Sequence, residues 1–206
     1  MRNGYNSEQV LTVAPSLPAG NLKELIALAK SEPGELNYAT VGSGGTTHIA
    51  SELLNLMAGI NTKQINYKGA GPAMLEFLAG RVDIYFDSLT IMKQNISSGK
   101  YRMLGIATKK RSSLAPEIPT LDEGGLKGFE SVGWFGVLAP AGTAPAVIAR
   151  MNQEINAIIA MPDVKKRLTE MGAIVTPLNG KQFWDYVGAE IKKWAAIVEK
   201  AGVKPE

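Results

Sequence analysis

Short strand-like runs of apolar residues alternate with stretches of helical periodicity between Leu22 and Thr108. In the helical stretches, apolar residues recur three or four positions apart. The predicted helices are Leu22–Lys30, Thr46–Met57, Pro72–Ala79 and Thr90–Ser97, and the predicted strands are Leu36–Thr40, Gln64–Tyr67, Val82–Phe86 and Arg102–Thr108. Strands that alternate with helices are typical of an α/β fold whose mostly parallel sheet is covered on both faces.

The C-terminal part of the chain has a different pattern. A strand-like run at Ser131–Ala139 precedes two long amphipathic helices, which are predicted within Pro145–Ala160 and Lys181–Lys200. The apolar stripe of the second helix includes Trp184 and Trp194, and we expect both side chains to serve packing.

A glycine-rich turn separates the strand at Leu36–Thr40 from the helix that follows. It consists of Gly42, Ser43, Gly44 and Gly45, and Thr46 and Thr47 come directly after it. Backbone N–H groups at such a helix start, together with the helix dipole, attract an anion. The two threonine hydroxyls can cap the helix or bind the ligand. The alternative is an ordinary, well-capped connection between a strand and a helix.

Neither the known phosphate-binding motifs nor the nucleophile elbow of hydrolases fits this turn. A P-loop requires a Gly-Lys-Ser/Thr sequence, and no lysine follows Gly45 at that position. The dinucleotide fingerprint requires Gly or Ala where Thr47 stands, and the nucleophile elbow requires Gly where Val41 stands. A carboxylate is therefore the favoured anion, and no cofactor is expected.

A second loop repeats the arrangement of the first. Lys68, Gly69 and Ala70 precede Pro72, and proline suits the first position of a helix. Lys68 adds a positive charge to this site, unless it is simply solvated. Because ligands of open α/β sheets bind beyond the carboxyl ends of the strands, two helix starts at that edge favour a ligand with two negative groups.

Two further side chains are candidates for the same site. Asp87 ends the strand at Val82–Phe86, and it either recognises a neutral or cationic part of the ligand or caps the helix near Thr90. His48 lies in the first turn of a helix, where it either contacts the ligand, orients the glycine turn or is a neutral histidine bonded to nearby backbone.

Composition narrows the class of protein. The chain has 206 residues, a net charge of +3, one histidine and no cysteine. A single histidine without cysteines excludes histidine-cluster and thiolate metal sites, and we expect no metal. The cluster Lys109-Lys110-Arg111 is interpreted as a solvated turn, so no nucleic-acid partner is expected. The first residues, MRNGYNSEQ, lack the apolar core of a secretory signal peptide.

Four segments together resemble a known family. They are YATVGSGGTTHIASELL, INYKGAGPAMLEFLAGRVDIYFDSL, KKRSSLAPEIPTLDEGG and WFGVLAPAGTAPAVIARMN. From about Val10 to Gly202 the chain resembles the Bug (TctC-like) solute-binding receptors of tripartite tricarboxylate transporters. The resemblance implies a hinged, two-lobed α/β fold of the periplasmic-binding-protein type (type II). It also implies a periplasmic location, no enzymatic activity, and delivery of a small organic acid to a membrane permease.

The resemblance also assigns residues and domains. The family's two ligand loops fall on the glycine turn and on Tyr67–Ala70, and its strand-end aspartate falls on Asp87. Residues 1–132 correspond to the ligand-binding second lobe, and residues 133–206 to the segment that returns to a first lobe. Most of that first lobe is expected to be missing, which leaves the C-terminal helices exposed and favours a homo-oligomer.

Other functions remain possible from sequence alone. The acid is a di- or tricarboxylate, an acidic amino acid or an aromatic acid. A hydrolase is the enzymatic alternative, with His48 and Ser43, or Asp87 and Lys68, as candidate pairs. A third hypothesis is a truncated, non-transport protein that acts through self-association.

Overall fold

The computed structural model describes residues 2–95, 99–170 and 173–203. Within these residues, the strands are β1 (Arg2–Val13), β2 (Asn37–Val41), β3 (Lys63–Tyr67), β4 (Ile84–Ser88), β5 (Arg102–Ile106), β6 (Val132–Trp134) and β7 (Ala173–Leu178). The helices are α1 (Leu22–Ser31), α2 (Thr46–Ala58), α3 (Ala70–Leu78), α4 (Leu89–Asn95), α5 (Pro145–Ala160), α6 (Pro162–Glu170) and α7 (Gly180–Ala201).

The chain forms two compact units. The larger unit contains Glu8–Val132 and Ala196–Glu206, and the smaller unit contains Met1–Ser7 and Gly133–Ala195. The division between the units falls after Val132, and the first and last segments of the chain are each assigned across it. The strand pairing of β1 explains the division between Ser7 and Glu8. Residues 2–7 of β1 pair with β7, and residues 9–13 pair with β4 and β5.

The main sheet has the strand order β3-β2-β4-β1-β5. β2 is parallel to β3 and β4, whereas β1 is antiparallel to β4 and to β5. Four of these five strands therefore run in one direction, and β1 alone is reversed. The α/β class with a mostly parallel sheet is confirmed, although the sequence analysis did not identify β1.

The element boundaries differ from the predictions at two points of the candidate site. α3 begins at Ala70, so Pro72 is its third residue and not its first. β4 extends to Ser88, which places Asp87 inside the strand instead of after it. The helix predicted at Thr90–Ser97 begins at Leu89, and its last two predicted residues lie outside the described part of the chain.

Helices α2 and α3 cover opposite faces of the sheet. On one face, Ala39 and Tyr85 pack with Phe77 of α3, and the rings of Phe77 and Tyr85 are 5.6 Å apart. On the other face, Tyr38 donates a hydrogen bond to Glu52 of α2. Because both helices follow parallel strands, their N-termini lie at the same edge of the sheet.

The smaller unit buries few helical side chains. Neither α5 nor α6 has a buried residue, and α7 buries Phe183 alone. Trp184 is 62% exposed, so its predicted packing role is wrong. Trp194 is half-buried and donates to Glu190. Across the described residues, the helices lack the combination of length and apolar character that crossing a membrane requires.

Candidate functional site

The predicted site residues converge on one edge of the main sheet. Val41, the last residue of β2, is paired with Tyr67, the last residue of β3, so the glycine turn and the Lys68 loop leave neighbouring positions. β3 lies on one side of β2 and β4 on the other, which makes β2 and β4 the point where the strand order reverses. Ligands of α/β sheets bind beyond the carboxyl ends of the strands at such a point.

Three amides of the glycine turn are already used within the protein. The N–H of Gly42 donates to Oδ1 of Asn66 at 2.9 Å, and the N–H of Gly45 donates to the carbonyl of Gly42 at 3.4 Å. The N–H of Gly44 donates to Nδ1 of His48 at 3.0 Å. The expectation that the Gly44 amide points at a ligand is therefore wrong for this conformation, and these bonds instead hold the shape of the turn.

Backbone geometry explains why this turn needs glycine. Gly42 and Gly44 have φ values of +82° and +72°, in the left-handed region that other residues avoid. The hydroxyl of Thr47 accepts a hydrogen bond from the N–H of Val41 at 3.2 Å. The threonine thus fixes the turn to the end of β2, and its hydroxyl proton is still able to donate to a ligand.

The N–H groups available for an anion lie directly after the glycine turn, in the first turn of α2. Gly45 is the N-cap of α2 and supplies no side-chain cap, and the first helical bond runs from Ile49 N to Gly45 O at 3.0 Å. Within the described contacts, the N–H groups of Thr46, Thr47 and His48 have no protein acceptor. These three donors lie at the positive end of the helix dipole, an arrangement that attracts anions.

The start of α3 offers two more donors. Its N-cap, Gly69, has φ +140° and ψ 163°, a conformation restricted almost entirely to glycine, and provides no side-chain cap. The carbonyl of Gly69 accepts from Ala73, which leaves the N–H groups of Ala70 and Gly71 without an acceptor among the described contacts. Pro72 carries no N–H, so this helix start has fewer donors to satisfy.

Lys68 supplies the positive charge at this edge. It directly precedes the N-cap of α3, and its side chain is exposed. No acidic partner is found for it among the described residues. An exposed ammonium next to two helix N-termini adds to their attraction for anions.

Asp87 is an incompletely satisfied carboxylate. Its Oδ1 accepts from the N–H of Ser88 at 2.6 Å, whereas its buried Oδ2 and the buried hydroxyl of Tyr85 beside it interact without forming a hydrogen bond of good geometry. Burial raises the pKa of Asp87, and the bond from Ser88 and the neighbouring Tyr85 hydroxyl oppose that rise. Burial and the charge of Asp87 raise the pKa of Tyr101 to about 12. Asp87 does not cap the helix near Thr90, because the N–H that donates to its carboxylate is that of Ser88 and not one within the first turn of α4.

His48 is buried and bonded to backbone. Because Nδ1 accepts from Gly44, the ring proton is on Nε2, and the ring stacks on Tyr38 with centroids 6.4 Å apart. In a serine–histidine–acid relay, Nδ1 instead donates to a carboxylate. Of the alternatives, the structure thus favours a neutral histidine that orients the glycine turn. Ser43 lies beside His48 on a neighbouring cleft.

Three residues at this edge were missed by sequence reasoning. Asn66 holds the Gly42 amide. Because β1 is reversed, its residues Glu8 and Gln9 also reach this edge, where Gln9 is paired with Ser88. The Oε1 of Gln9 is buried without a partner, and burial raises the pKa of Glu8, although a bond from Ser112 opposes the rise. No motif marks these residues, because their position depends on long-range strand pairing.

Comparisons with known proteins agree on one family. The model of the tripartite tricarboxylate transporter family receptor (TctC) matches residues 3–203. A UPF0065 protein from the tcbD-tcbE intergenic region of Pseudomonas sp. (strain P51) is 36% identical over 92% of this chain and 56% of its own length. Protein BugT of Bordetella pertussis is 34% identical over 95% of this chain and 60% of its own length. The chain thus spans a little more than half the length of these curated relatives.

Solved structures are similar over nearly the whole chain. R. palustris Rpa4515 with adipate has a TM-score of 0.88 and 30% identity, over 100% of this chain and 69% of that chain. Periplasmic binding protein BugD has a TM-score of 0.85 and 31% identity, with the same coverage. MatC from Rhodopseudomonas palustris with bound malate has a TM-score of 0.80 and 27% identity, over 96% of this chain and 68% of that chain.

Proposed function

Because the chain belongs to the tripartite tricarboxylate transporter receptor family, we propose that its larger unit binds a small organic acid for transport. Family members include periplasmic binding proteins, and we propose the same location for this protein. The acid would be passed to the membrane permease of a tripartite tricarboxylate transporter. We propose no catalytic step, because the site consists of binding groups and Nδ1 of His48 is bonded to backbone.

The observation that supports this proposal is the pair of open helix N-termini at one sheet edge. Two sets of backbone donors lie there, at the first turns of α2 and α3. Lys68, which directly precedes the N-cap of α3, adds a positive charge. Each set can bind one carboxylate through two or more N–H groups. A ligand with two carboxylates fits this arrangement better than one with a single negative group.

The chemical class of ligand follows from the site and the relatives together. Two R. palustris relatives hold adipate and malate, which are both dicarboxylates. We therefore propose a dicarboxylate for this chain, ahead of a tricarboxylate, an acidic amino acid or an aromatic acid. The unpartnered Oδ2 of Asp87 would accept a hydrogen bond from a hydroxyl or ammonium group on the ligand.

The first test is calorimetric titration of the chain with adipate and with malate. We expect saturable binding of at least one acid, and we expect Lys68→Ala to weaken it about 10-fold, since a hydrogen bond to a charged group contributes roughly 1.5–3 kcal/mol. Raising the salt concentration should weaken binding to the unmodified chain more than binding to the variant.

The matched control is Lys23→Ala, which removes an exposed lysine from α1. It should leave the affinity unchanged. Equal weakening by both lysine variants would show a general charge effect and contradict the proposed site. Absence of binding for adipate, malate, an acidic amino acid and an aromatic acid would contradict the function itself.

A second candidate function is self-association through the smaller unit. Large apolar side chains are exposed along its helices, namely Val147, Met151 and Ile158 on α5 and Trp184 and Ile191 on α7. Exposed apolar stripes of this kind favour contact with another copy of the chain. Sedimentation velocity should show a sedimentation coefficient that rises with protein concentration, and Met151→Glu with Ile191→Glu should remove that rise. A monomer at all concentrations would contradict this function.

A further inference from the structure

A second cleft lies on the α2 face of the larger unit, behind the glycine turn. It has a volume of about 350 Å³. Its polar side chains come from β2, the glycine turn, α2 and the start of β3, and the end of α7 closes one side. The lining residues are Tyr38, Ser43, His48, Glu52, Thr62 and Gln64, together with Ala201–Val203.

The hydrogen bonds of the cleft leave specific atoms available. The Oε1 of Glu52 accepts from the Tyr38 hydroxyl, and within the described contacts its Oε2 has no partner. Gln64 donates through Nε2 to Thr40 at 2.9 Å, so its Oε1 is an open acceptor. His48 accepts at Nδ1 and keeps a proton on Nε2, which is the donor it presents to the cleft.

The electrostatics of the cleft favour a cation. Glu52 has no salt-bridge partner among the described residues, and none of the lining residues that the structure describes is lysine or arginine. The C-terminal end of α7 also lines the cleft at Ala201, where the helix dipole is negative. Burial, together with the hydrogen bond to Glu52 and its charge, raises the pKa of Tyr38 far above its usual value, so the phenol remains a neutral donor.

The donor set argues for an organic cation over a metal ion. Calcium and magnesium require about six oxygen ligands, with several carboxylates among them. Among the described lining residues Glu52 is the one carboxylate, and one of its oxygens is occupied. The described part of the chain also contains no group of three or more His, Cys, Asp or Glu able to hold a metal. An ammonium group carries three donors, which suit a carboxylate oxygen and an amide oxygen together.

We propose that this cleft binds a small amine, with its ammonium group on Oε2 of Glu52 and Oε1 of Gln64. The Nε2–H of His48 donates to an oxygen on the same ligand, such as a hydroxyl. This site is separate from the carboxylate position, since it uses the side chains on the α2 face and not the open backbone donors. Ethanolamine carries both groups and is the probe for the site.

The test is a titration of the full chain with ethanolamine, in which binding is measured by calorimetry and by the chemical shifts of backbone amides in NMR. We expect saturable binding with the largest shifts at Tyr38, His48 and Glu52. Glu52→Gln keeps an acceptor for the Tyr38 hydroxyl but removes the charge, and it should weaken binding about 10-fold or more. Gln64→Leu, at an exposed position, should also weaken binding and serves as the second variant.

Three controls establish whether ethanolamine binds in this cleft through its charge. Glu35→Gln changes an exposed glutamate outside the cleft and should leave ethanolamine binding unchanged. Lys68→Ala should also leave it unchanged, even if it weakens binding of adipate. Ethylene glycol, which lacks the charge, should not bind. Any of three results would overturn the proposal. Ethanolamine does not bind, it binds Glu52→Gln as tightly as the unmodified chain, or Mg²⁺ displaces it and shifts the same amide signals.

Discussion

Replacing Phe183 with alanine should lower the free energy of unfolding of the smaller unit by about 3–5 kcal/mol, the usual cost of removing a fully buried phenylalanine. Phe183 is the buried residue of α7, with no exposed surface. Its ring meets Trp134 edge-on at 5.9 Å and lies so close to Gly136 that a Cβ there would be 2.9 Å from Cζ. Alanine would leave a cavity that these neighbours cannot fill without moving.

Tryptophan fluorescence during denaturation measures this effect selectively. The chain has three tryptophans, Trp134, Trp184 and Trp194, and all belong to the smaller unit. The fluorescence transition of Phe183→Ala should therefore move to much lower denaturant concentration.

The neighbouring residue provides a matched control. Trp184→Ala removes a larger side chain that is 62% exposed, and it should cost less than about 1 kcal/mol. Equal destabilisation by the two variants would show that burial of Phe183 does not hold α7 in place. Both variants keep the cap at the N-terminus of α7, where the backbone N–H of Asn179 and that of Gln182 each donate to the side-chain oxygen of the other residue at 2.9 Å.

Local pattern was sufficient to predict the elements that build the candidate site. The helical periodicity after Gly45 predicts α2 from its first residue, Thr46. The positions of the two helix starts follow from short strand–turn–helix sequences, and these depend on neighbouring residues only. The edge on which they meet follows from the parallel strands that precede them.

Interactions between distant residues could not be read from the sequence. β1 was missed because the greater part of its sequence, RNGYNSEQ, shows no apolar alternation, and its pairing partners lie more than 70 residues away. The bond from Gly44 to His48 depends on a positive φ at Gly44, which a glycine permits but does not require. The unpartnered Oδ2 of Asp87 likewise results from burial in β4 and not from any motif.

Replacing Asp87 with asparagine should stabilise the protein at neutral pH by about 1–3 kcal/mol, the usual cost of a buried polar group without a partner. The substitution preserves the shape and keeps an oxygen for the Ser88 N–H. Its new amide would be a donor for the hydroxyl oxygen of Tyr85, which lies close to this side chain and makes no hydrogen bond of good geometry. Urea denaturation of both proteins over a range of pH is the measurement.

The pH dependence of this difference identifies its cause. Burial raises the pKa of Asp87 in the folded state, so the folded protein holds its proton more tightly than the unfolded chain does. Unfolding free energy is therefore lost as pH rises from the ordinary pKa of aspartate through the raised value, and the full penalty remains above it. The advantage of Asp87→Asn should be constant at neutral pH and shrink as pH falls through that window.

Asp185→Asn is the control, since Asp185 is an exposed aspartate paired with Lys181 at 2.7 Å, and such pairs contribute little. It should change stability by a few tenths of a kcal/mol. A destabilised Asp87→Asn, or a difference that does not vary with pH, would mean that the ionised carboxylate is well satisfied in the folded protein. A stabilised variant that also binds malate less tightly, relative to adipate, would show that this carboxylate is retained at a cost in stability because it recognises the ligand hydroxyl.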